Sequence, residues 1–280
     1  MPDRSSFEAV VVSWNAAEHL KACLGSLSPQ VARTVVVDNA SSDHSVETAR
    51  RIGADVVEAG SNLGFGRAAN RGMALTTAPY VLIINPDAMI MAGSVAAMAS
   101  VLDSTPDAAV VGPRIVTADG SPYPSARAFP SLMSSVGHGF VGLFSTRNRW
   151  SDAYLHPARP DWIAGTAMLV RRTAFEAVGG FDERYFMYVE DVDLCWRLAA
   201  AGWTVAVADD ALVRHVVGAS SEQRPYRMIV EHHRSLWRFA CRSQRGIARV
   251  GLPLIAAGLV GRAGLSVLRR VVSRRSPALH

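Results

Sequence analysis

The chain has 280 residues, of which 49% are hydrophobic, and its formal net charge is +5. This length suits one large α/β domain, or one domain with an appendage, and the hydrophobic content allows a sizeable core. With no low-complexity segment and no internal repeat, the sequence excludes a repeat architecture.

The positive charge is concentrated near the C-terminus. Residues 1–231 hold 24 acidic and 19 basic side chains, whereas residues 232–280 hold ten arginines and no acid. A basic tail on a mildly acidic body indicates an anionic partner, either nucleic acid or the cytoplasmic leaflet of a membrane.

Cysteine usage indicates a reducing compartment. Cys23, Cys195 and Cys241 are scattered and form no CxxC pair, and no signal peptide is evident at the N-terminus. We therefore expect reduced thiols in a cytosolic protein.

Strand and helix patterns alternate along the first third of the chain. Apolar, β-branched runs predict strands at 7–14, 34–38, 54–60 and 79–87, and helical spacing predicts helices at 15–27, 41–53 and 64–78. This alternation predicts a parallel sheet with helices on both faces.

Three of these strands end in polar residues. The clusters are Ser13 to Asn15, Asp38 with Asn39, and Asn85 to Asp87. Because ligands of open α/β sheets bind at the carboxyl ends of strands, we expect the three clusters to line one crevice.

The pattern is less regular in the second half. A helix at 94–106 and a strand at 108–115 precede a segment, 118–160, rich in Gly, Pro, Ser and aromatic residues, where we expect a long, mobile region. Beyond it, strands are predicted at 162–172, 204–208 and 211–216, and helices at 173–180 and from about Glu190.

The tail from residue 225 onward is predicted to be helical. Its uncharged run at 250–261 is shorter than the about 20 residues that a membrane-spanning helix needs. Flanking arginines with no acid fit a helix that lies in the membrane interface, and the alternative is a helix packed on the body. Nucleic acid is not expected, because no recognition motif accompanies the charge.

Two strand-end carboxylates have the chemistry of binding groups. Asp87 suits Mg²⁺ or Mn²⁺, which take one or two protein carboxylates and otherwise phosphate oxygens; the alternative is a helix cap. Asp38 can bind a base edge or a ribose, while the neighbouring Ser41, Ser42 or Asp43 caps a helix.

A glycine motif offers an alternative function. Gly64-x-Gly66-x-x-Ala69 matches the dinucleotide-binding fingerprint, and Asp87 lies where its ribose-binding acid would be. The fingerprint belongs after the first strand of its unit, however, and here it follows the third predicted strand. A nicotinamide-dependent dehydrogenase is therefore the less favoured alternative.

Glu190, Asp191 and Asp193 lie between an aromatic run and an apolar helix face. A carboxylate at a helix N-terminus is favoured by the helix dipole and stays ionised, which suits Asp191 as a general base or a neighbour of a metal. We expect at least one of the three only to cap the helix.

Histidines follow later in the chain. His215, in an apolar strand, is either a core residue or a metal ligand. His232 and His233, in the basic tail, are expected at the surface.

Seven motifs occur in order over about residues 7–220: VVVSWN, VVVDNASSDHS, NLGFGRAANRG, INPDA, WIAGTAMLVRR, GGFDERYFMYVEDVDLCWRLAAAGW and RHVVGAS. Together they resemble the inverting family 2 glycosyltransferases of the GT-A fold, and most closely the bacterial rhamnosyltransferases that act on polyprenyl-diphosphate-linked N-acetylglucosamine. The resemblance implies an α/β fold with a Rossmann-like, mostly parallel sheet flanked by helices and a C-terminal amphipathic helical tail.

The resemblance also implies domain bounds. The glycosyltransferase domain would span 1–224, with a nucleotide-sugar-binding half at 1–117 and an acceptor and catalytic half at 118–224. A basic, membrane-associating tail would span 225–280.

The resemblance assigns nucleotide-sugar binding to nine residues: Val12, Ser13, Asn15, Asp38, Asn39, Asn62, Arg67, Asn70 and Asn85. Within this set Asp38 would bind the base, and Asn62, Arg67 and Asn70 would line the diphosphate and the sugar.

The remaining roles follow from the same resemblance. Asn85-Pro86-Asp87 stands at the family's metal-binding D-x-D motif with Asn in place of the first Asp, so Asp87 and His215 would hold the metal. Asp191 would be the catalytic base, paired with Glu190. The acceptor side would be formed by four residues: Trp162, Gly165, Thr166 and Tyr188.

The implied enzyme is metal-dependent, using Mg²⁺ or Mn²⁺, and moves rhamnose from dTDP-rhamnose onto a lipid-linked acceptor in cell-wall or cell-surface polysaccharide synthesis. It would lie peripherally on the cytoplasmic side of the cell membrane. UDP-galactose, UDP-N-acetylglucosamine and GDP-mannose are alternative donors. The sequence determines neither the donor sugar nor the oligomeric state.

Overall fold

The computed structural model describes residues 4–129, 160–216 and 225–275. They group into two compact units: residues 4–129, 160–186 and 190–216 form the first, and residues 187–189 and 225–275 form the second. Most of the region expected to be mobile, residues 130–159, lies outside the described residues. The domain bounds at residues 117 and 224 stay predictions.

The first unit alternates strands and helices. Its described strands are β1 (Phe7–Ser13), β2 (Arg33–Asp38), β3 (Asp55–Glu58), β4 (Tyr80–Ile84), β5 (Ala88–Ile90), β6 (Ala108–Thr117), β7 (Pro122–Tyr123), β8 (Ala126–Arg127), β9 (Trp162–Ile163), β10 (Ala167–Arg171) and β11 (Thr204–His215). Its described helices are α1 (Ala17–Leu27), α2 (Ser45–Arg51), α3 (Phe65–Met73), α4 (Ser94–Ser104), α5 (Arg172–Ala177) and α6 (Glu190–Ala200).

The central sheet has the strand order β3-β2-β1-β4-β10-β6-β11-β5, with β7 also paired to β6. Strands β3, β2, β1 and β4 are mutually parallel, as predicted, and β6 is parallel to β11. Strand β10 is antiparallel to both of its neighbours, β4 and β6. The α/β fold is therefore confirmed, with a sheet that becomes mixed beyond β4.

Helices cover both faces of this sheet. Along β1, Ala9 and Val11 pack into one apolar core with α1 and α4, whereas Val10 and Val12 pack into a second core with α3 and α6. This alternation is the period-two pattern of a strand whose two faces are both buried. The uninterrupted β-branched run of β1 is explained by these two cores.

The cysteines form no disulfide. Cys23 and Cys195 are buried and Cys241 is half-buried, and all three are free. Burial raises the pKa of the Cys195 thiol to about 12, so this thiol stays protonated and poorly reactive at neutral pH.

The second unit contains two long helices, α7 (Pro225–Ser243) and α8 (Leu252–Arg275), joined through a 3-10 helix at Gly246–Gly251. The helical tail is thus confirmed. The histidines of α7 differ from the expectation, because His232 and His233 are half-buried and not surface residues.

The prediction that the tail is too short to span a membrane is wrong as to length. The stretch Gly246–Val271 is long enough and apolar enough, because it has 26 residues and contains an 18-residue window with a mean hydropathy of 1.6. The prediction counted only the run between Arg249 and Arg262, whereas the helical stretch continues through both arginines. Length and composition alone do not distinguish a spanning helix from an interfacial one.

Candidate active site

Asp38 ends β2 beside the end of β1, because it pairs in register with Ser13. Its buried carboxylate accepts two hydrogen bonds from Ser41, from N at 2.8 Å and from Oγ at 2.5 Å. Ser41 Oγ accepts a hydrogen bond of 2.8 Å from the backbone N of Asn15. These bonds bring the predicted base-binding residue and its neighbours Val12, Ser13 and Asn15 together.

Ser13 has an unsatisfied hydroxyl. Its Oγ is fully buried and has no hydrogen-bond partner among the described residues. Such groups are rare in folded proteins because their desolvation is costly, and a bound ligand or water is the usual partner. The hydroxyl is a candidate ligand contact at the strand end.

Asn39 and Asn62 shape the loop that enters α3. Asn39 donates from Nδ2 to Gly64 O at 3.1 Å and accepts from Leu63 N at 3.3 Å, and Asn62 Oδ1 accepts from Gly64 N at 3.0 Å. Both side-chain amides, which were predicted to bind the donor, therefore stabilise the backbone of this loop.

The glycine motif is explained by close packing. Gly64 has φ +84°, and a Cβ there would lie 2.1 Å from Phe186 O; a Cβ at Gly66 would lie 3.0 Å from Phe181 Cβ. Phe65 N donates to Phe186 O at 2.9 Å. Segment 181–186 thus occupies the space that the two glycines create, which gives them a role other than cradling a dinucleotide.

Arg67 and Asn70 both contact this same segment. Arg67 Nε donates to Glu183 Oε2 at 3.0 Å, an ion pair in which both side chains are exposed by nearly half. Asn70 donates to Phe181 O and accepts from Phe181 N, each at 2.9 Å. Asn70 therefore links α3 to segment 181–186 in this structure, and its contact with the donor stays a prediction.

The two predicted metal ligands lie side by side. Asp87 follows β4 and His215 ends β11, and both side chains are buried. His215 Nε2 lies 3.2 Å from Asp87 Oδ1, while His215 Nδ1 is buried without a partner among the described residues. Antiparallel pairing of β5 with β11, which sets His215 opposite Ala88, produces this proximity.

This pair fits a divalent cation that is completed by a ligand. In an octahedral site with bonds of about 2.1 Å, neighbouring ligand atoms lie about 3 Å apart, close to the spacing of these two atoms. Among the described residues, no group of three or more His, Cys, Asp or Glu side chains could hold a metal ion. Further oxygen ligands would have to come from the donor or from water.

Glu190 and Asp191 begin α6 in a low-dielectric environment. Burial, and secondarily the neighbouring Asp191 charge, raises the pKa of Glu190 to about 8. Burial also raises the pKa of Asp191, opposed by hydrogen bonds of 2.8 Å from Gly165 N and Val192 N. Because the charge of Asp191 is one cause of the raised pKa of Glu190, Asp191 is the member of the pair that ionises first.

The acidic pair Glu190–Asp191 and the turn 85–87, which is predicted to bind a metal, are connected through residues 165–166. Asn85 N donates to Thr166 O at 2.9 Å, and the preceding residue, Gly165, donates to Asp191. Because β10 is antiparallel to β4, the residue before β10 lies beside the residue after β4. Gly165 and Thr166 thus contact Asp191 and Asn85 through their backbones, and their place on the acceptor side stays a prediction.

Arg127 is a further candidate site residue, which the sequence patterns did not indicate. Its positive charge lowers the pKa of Asp191, its guanidinium lies 5.6 Å from the centre of the Trp162 ring, and its Nε is buried without a partner among the described residues. The β8–β9 ribbon pairs it with Trp162. No local pattern signals this role, because Arg127 is 64 residues from Asp191 and follows an irregular segment.

Asp193, the third carboxylate, is structural. It is fully buried, accepts from Arg197 Nε at 2.7 Å and from Tyr185 OH at 3.2 Å, and Arg197 continues to Val178 O. The expectation that one of the three acids has no catalytic task agrees with this placement. Its task is an ion pair within α6 rather than a helix cap.

Tyr188, predicted for the acceptor side, belongs to the second unit. Its ring centre lies 5.1 Å from that of His232 on α7. Its backbone has φ 68° and that of Val189 has φ 69°, directly before Glu190. The structure thus shows Tyr188 in a strained segment that contacts the tail.

Comparison with known proteins identifies the class. Residues 8–178 match the family model described as glycosyl transferase family 2, and the chain therefore belongs to that family and is a glycosyltransferase. The N-acetylglucosaminyl-diphospho-decaprenol L-rhamnosyltransferase of Mycobacterium tuberculosis is 38% identical over 265 residues, which cover 87% of this chain and 86% of that protein.

Two further similarities agree with the family. The rhamnosyltransferase WbbL of Escherichia coli K12 is 44% identical over 78 residues, 28% of this chain and 29% of that protein. The mannosyltransferase PcManGT of Pyrobaculum calidifontis, solved with GDP-Man and Mn²⁺, has a TM-score of 0.60 at 17% identity and covers 98% of this chain and 82% of that one. The structural similarity shows the fold alone.

Proposed function

We propose that the protein transfers L-rhamnose from dTDP-rhamnose to N-acetylglucosamine on a polyprenyl diphosphate, with inversion at the anomeric carbon. The observation that carries this proposal is the 38% identity over 87% of the chain to an enzyme named for rhamnosyl transfer to N-acetylglucosaminyl-diphospho-decaprenol. The reaction would serve cell-wall or cell-surface polysaccharide synthesis.

Asp191 is the proposed general base. As the acceptor hydroxyl oxygen bonds to the anomeric carbon, the bond from that carbon to the diphosphate oxygen breaks, and the hydroxyl proton passes to the Asp191 carboxylate. A single displacement of this kind inverts the anomeric centre. Backbone donors at Gly165 and Val192 orient the carboxylate, and Arg127 helps to keep it ionised.

Asp87 and His215 are proposed to hold Mg²⁺ or Mn²⁺ together with oxygen atoms of the donor diphosphate. The bound cation would neutralise charge on the leaving diphosphate. The adjacent Asn85 would contact the donor, and its backbone bond to Thr166 ties this turn to the segment that orients Asp191.

The nucleotide is proposed to bind at the ends of β1 and β2. Asp38 would accept from the base while keeping its bonds to Ser41, because an ionised carboxylate offers about four acceptor positions. Ser13, Asn15 and Asn39 complete this polar edge, and Arg67 remains a candidate for the diphosphate. On the acceptor side, Trp162 offers an aromatic surface for a sugar ring beside Arg127.

The tail is proposed to hold the enzyme at the cytoplasmic face of the cell membrane, where lipid-linked acceptors reside. Five apolar side chains along residues 246–271 are exposed by more than half: Ile247, Val250, Leu254, Val260 and Leu268. Apolar groups between arginines, with no acidic residue, favour association with anionic lipid.

Calorimetric titration tests the class of donor and the metal together. The full-length protein would be titrated with dTDP-rhamnose, UDP-galactose, UDP-N-acetylglucosamine, GDP-mannose and NADH, with and without Mn²⁺ or Mg²⁺. We expect binding of dTDP-rhamnose that strengthens with the cation in the wild type. The Asp87→Asn variant should lose that cation dependence, whereas a matched change at an exposed acid, Asp119→Asn, should retain it.

Preferential binding of another nucleotide sugar would overturn the rhamnose assignment and name the donor. Cation-dependent binding that Asp87→Asn leaves intact would overturn the proposed metal site. Binding of NADH alone, indifferent to cation, would contradict the whole assignment.

A further inference from the structure

The chain enters α6 through a strained segment. Tyr188 and Val189 have φ angles of 68° and 69° and immediately precede Glu190. Left-handed backbone is uncommon for residues other than glycine and is an outlier for a β-branched residue such as valine. Among the described residues, this is the one place where two neighbouring non-glycine residues both have positive φ.

Such backbone persists only where its surroundings hold it. Helix α7 supplies two contacts to this segment. Ser235 Oγ donates to Met187 O at 2.9 Å, and the His232 ring lies 5.1 Å from the Tyr188 ring, centre to centre. Ser235 is 1% exposed, so its hydrogen bond is shielded from water.

These two contacts come from one face of α7. His232 and Ser235 are three residues apart, the spacing that places side chains next to each other on a helix. They bind consecutive residues, Met187 and Tyr188, directly before the acidic pair. The contacts therefore act on the backbone whose conformation sets where α6 begins.

We propose that Ser235, with His232, is a positioning residue for the acidic pair Glu190–Asp191: it holds segment 187–189 in its strained form and so fixes the start of α6. The inference rests on the proposed function and extends it, because it gives α7 a role in catalysis besides any role at the membrane.

The physical consequence of losing the contact is local. Removing the Ser235 hydroxyl leaves the carbonyl of Met187 without this donor, and the segment can relax its unfavourable φ angles. A displacement of about 1 Å in a reacting group is enough to cost up to about a hundredfold in rate. We expect a smaller effect from one hydrogen bond, about a three- to tenfold fall in kcat.

The test compares two full-length variants that make the same change on the same helix. Ser235→Ala removes the bond to Met187, and Ser243→Ala removes a half-buried hydroxyl in the last turn of α7. Both would be assayed with dTDP-rhamnose and a water-soluble, short-chain lipid diphosphate of N-acetylglucosamine, so that membrane binding does not enter. Donor affinity, by calorimetry, and Tm would be measured in parallel.

We expect Ser235→Ala to lower kcat while donor affinity and Tm stay close to those of Ser243→Ala. The curve of kcat against pH should also move to lower pH, because a loosened segment admits water to the acidic pair and reduces the burial that raises both pKa values. A purely structural role for Ser235 would not move this curve.

Three results would overturn the proposal. One is a kcat and pH profile for Ser235→Ala that match those of Ser243→Ala. Another is a loss of donor affinity and Tm in proportion to kcat, which would indicate general unfolding. A wild-type protein that transfers no sugar, whichever donor is offered, would refute the proposed function first, and with it the inference about Ser235.

Discussion

Glu190 carries the clearest electrostatic signature in the candidate site. Its carboxyl is buried, one oxygen has no partner among the described residues, and its pKa is raised to about 8, by burial first and by the charge of Asp191 second. Because Asp191 ionises before Glu190, Asp191 is the candidate base of the pair. The two carboxyl groups thus have different roles because their environments differ, and not because their residue types differ.

This shift predicts a pH-dependent stability. Between its ordinary pKa, near 4.5, and about 8, folded Glu190 holds a proton that the unfolded chain has lost. The free energy of unfolding should therefore fall as pH rises through this window, by an amount on the order of a few kcal/mol, because ionisation favours the unfolded chain. Glu190→Gln, which stays neutral, should lack this component.

The measurement is urea unfolding of both proteins at pH 5, 7 and 9. Subtraction of the variant from the wild type removes the titration of the groups that do not interact with Glu190, and leaves that of Glu190 with its coupled neighbour Asp191. A difference that is independent of pH would show that Glu190 is not the protonated partner of the pair.

Residue-level prediction was most informative where polar residues follow the ends of strands. His215 Nε2 and Asp87 Oδ1 lie 3.2 Å apart although 128 positions separate the two residues in the sequence, and their role in metal binding stays a prediction. Prediction was incomplete where a side chain interacts with residues that are far away in the sequence. Asn70 is bonded to Phe181, and Arg127 lies near Asp191, through long-range contacts that no local spacing encodes.

At the scale of elements, the loop between β3 and α3 contacts both the predicted nucleotide-binding end of β2 and the segment that leads to the acidic pair. Gly64 in this loop and Gly66 in the first turn of α3 let segment 181–186 approach α3, and that segment leads towards Glu190. The glycines of the motif that resembles a dinucleotide fingerprint thus allow segment 181–186 to pack closely. These glycines are required by a neighbouring backbone, as Phe186 O shows.

Two glycine substitutions test this interpretation. Gly64 and Gly53 have nearly equal φ angles, +84° and +87°, but a Cβ at Gly53 meets nothing within 4 Å. Alanine at Gly53 has the cost of positive φ, about 1 kcal/mol. Gly64 combines φ 84° with ψ 179°, a backbone region essentially restricted to glycine, so alanine there costs about 1–3 kcal/mol through the backbone. Only Gly64→Ala adds the collision with Phe186 O, so we expect it to lower the free energy of unfolding by about 2 kcal/mol more than Gly53→Ala does.

Thermal or urea unfolding of the two variants measures this difference directly. Equal destabilisation would mean that segment 181–186 does not pack on α3 in solution. It would also remove the structural reason for preferring close packing to dinucleotide binding at this motif.

The elements themselves were largely predictable, and their arrangement was not. Long apolar strands such as β1, β2 and β4 and the helices between them follow from local periodicity. Strands β5, β7 and β8 have only two or three residues, too few to show a period, and β11 was predicted as two strands because its register shifts between Ala208 and Leu212. The antiparallel insertion of β10 depends on long-range pairing, which composition does not reveal.

At the scale of the whole molecule, the described part of the tail exposes several large apolar side chains to solvent. Val260 is 74% exposed and Leu254 is 57% exposed, on a helical stretch rich in arginine. Isolated exposed apolar residues are ordinary, but a succession along one helix marks an interaction surface. The proposed membrane association would account for both the apolar groups and the absence of acids.

Acidic substitutions on α8 test the membrane assignment. Leu254→Glu and Val260→Glu together should shift the protein from the vesicle-bound to the free fraction at least tenfold, because each replaces an apolar contact with a charge that anionic lipid repels. Leu75→Glu makes the same change at a 45% exposed site in the first unit and should leave binding unchanged.

Co-sedimentation with vesicles that contain anionic lipid reports the bound fraction. Activity on a soluble acceptor should be the same in all three proteins. A double variant that sediments as well as the Leu75→Glu control would contradict the proposal that α8 contacts lipid.

The central claim is that Asp191 drives inverting transfer of rhamnose from dTDP-rhamnose to lipid-linked N-acetylglucosamine. The most direct measurement compares wild type and Asp191→Asn in transfer, with the anomeric configuration of the product determined by NMR and donor affinity by calorimetry. We expect an inverted rhamnoside from the wild type, and from the variant a fall in kcat of about a thousandfold with donor affinity nearly unchanged. A variant that loses donor affinity but retains turnover, or a product with retained configuration, would contradict the account.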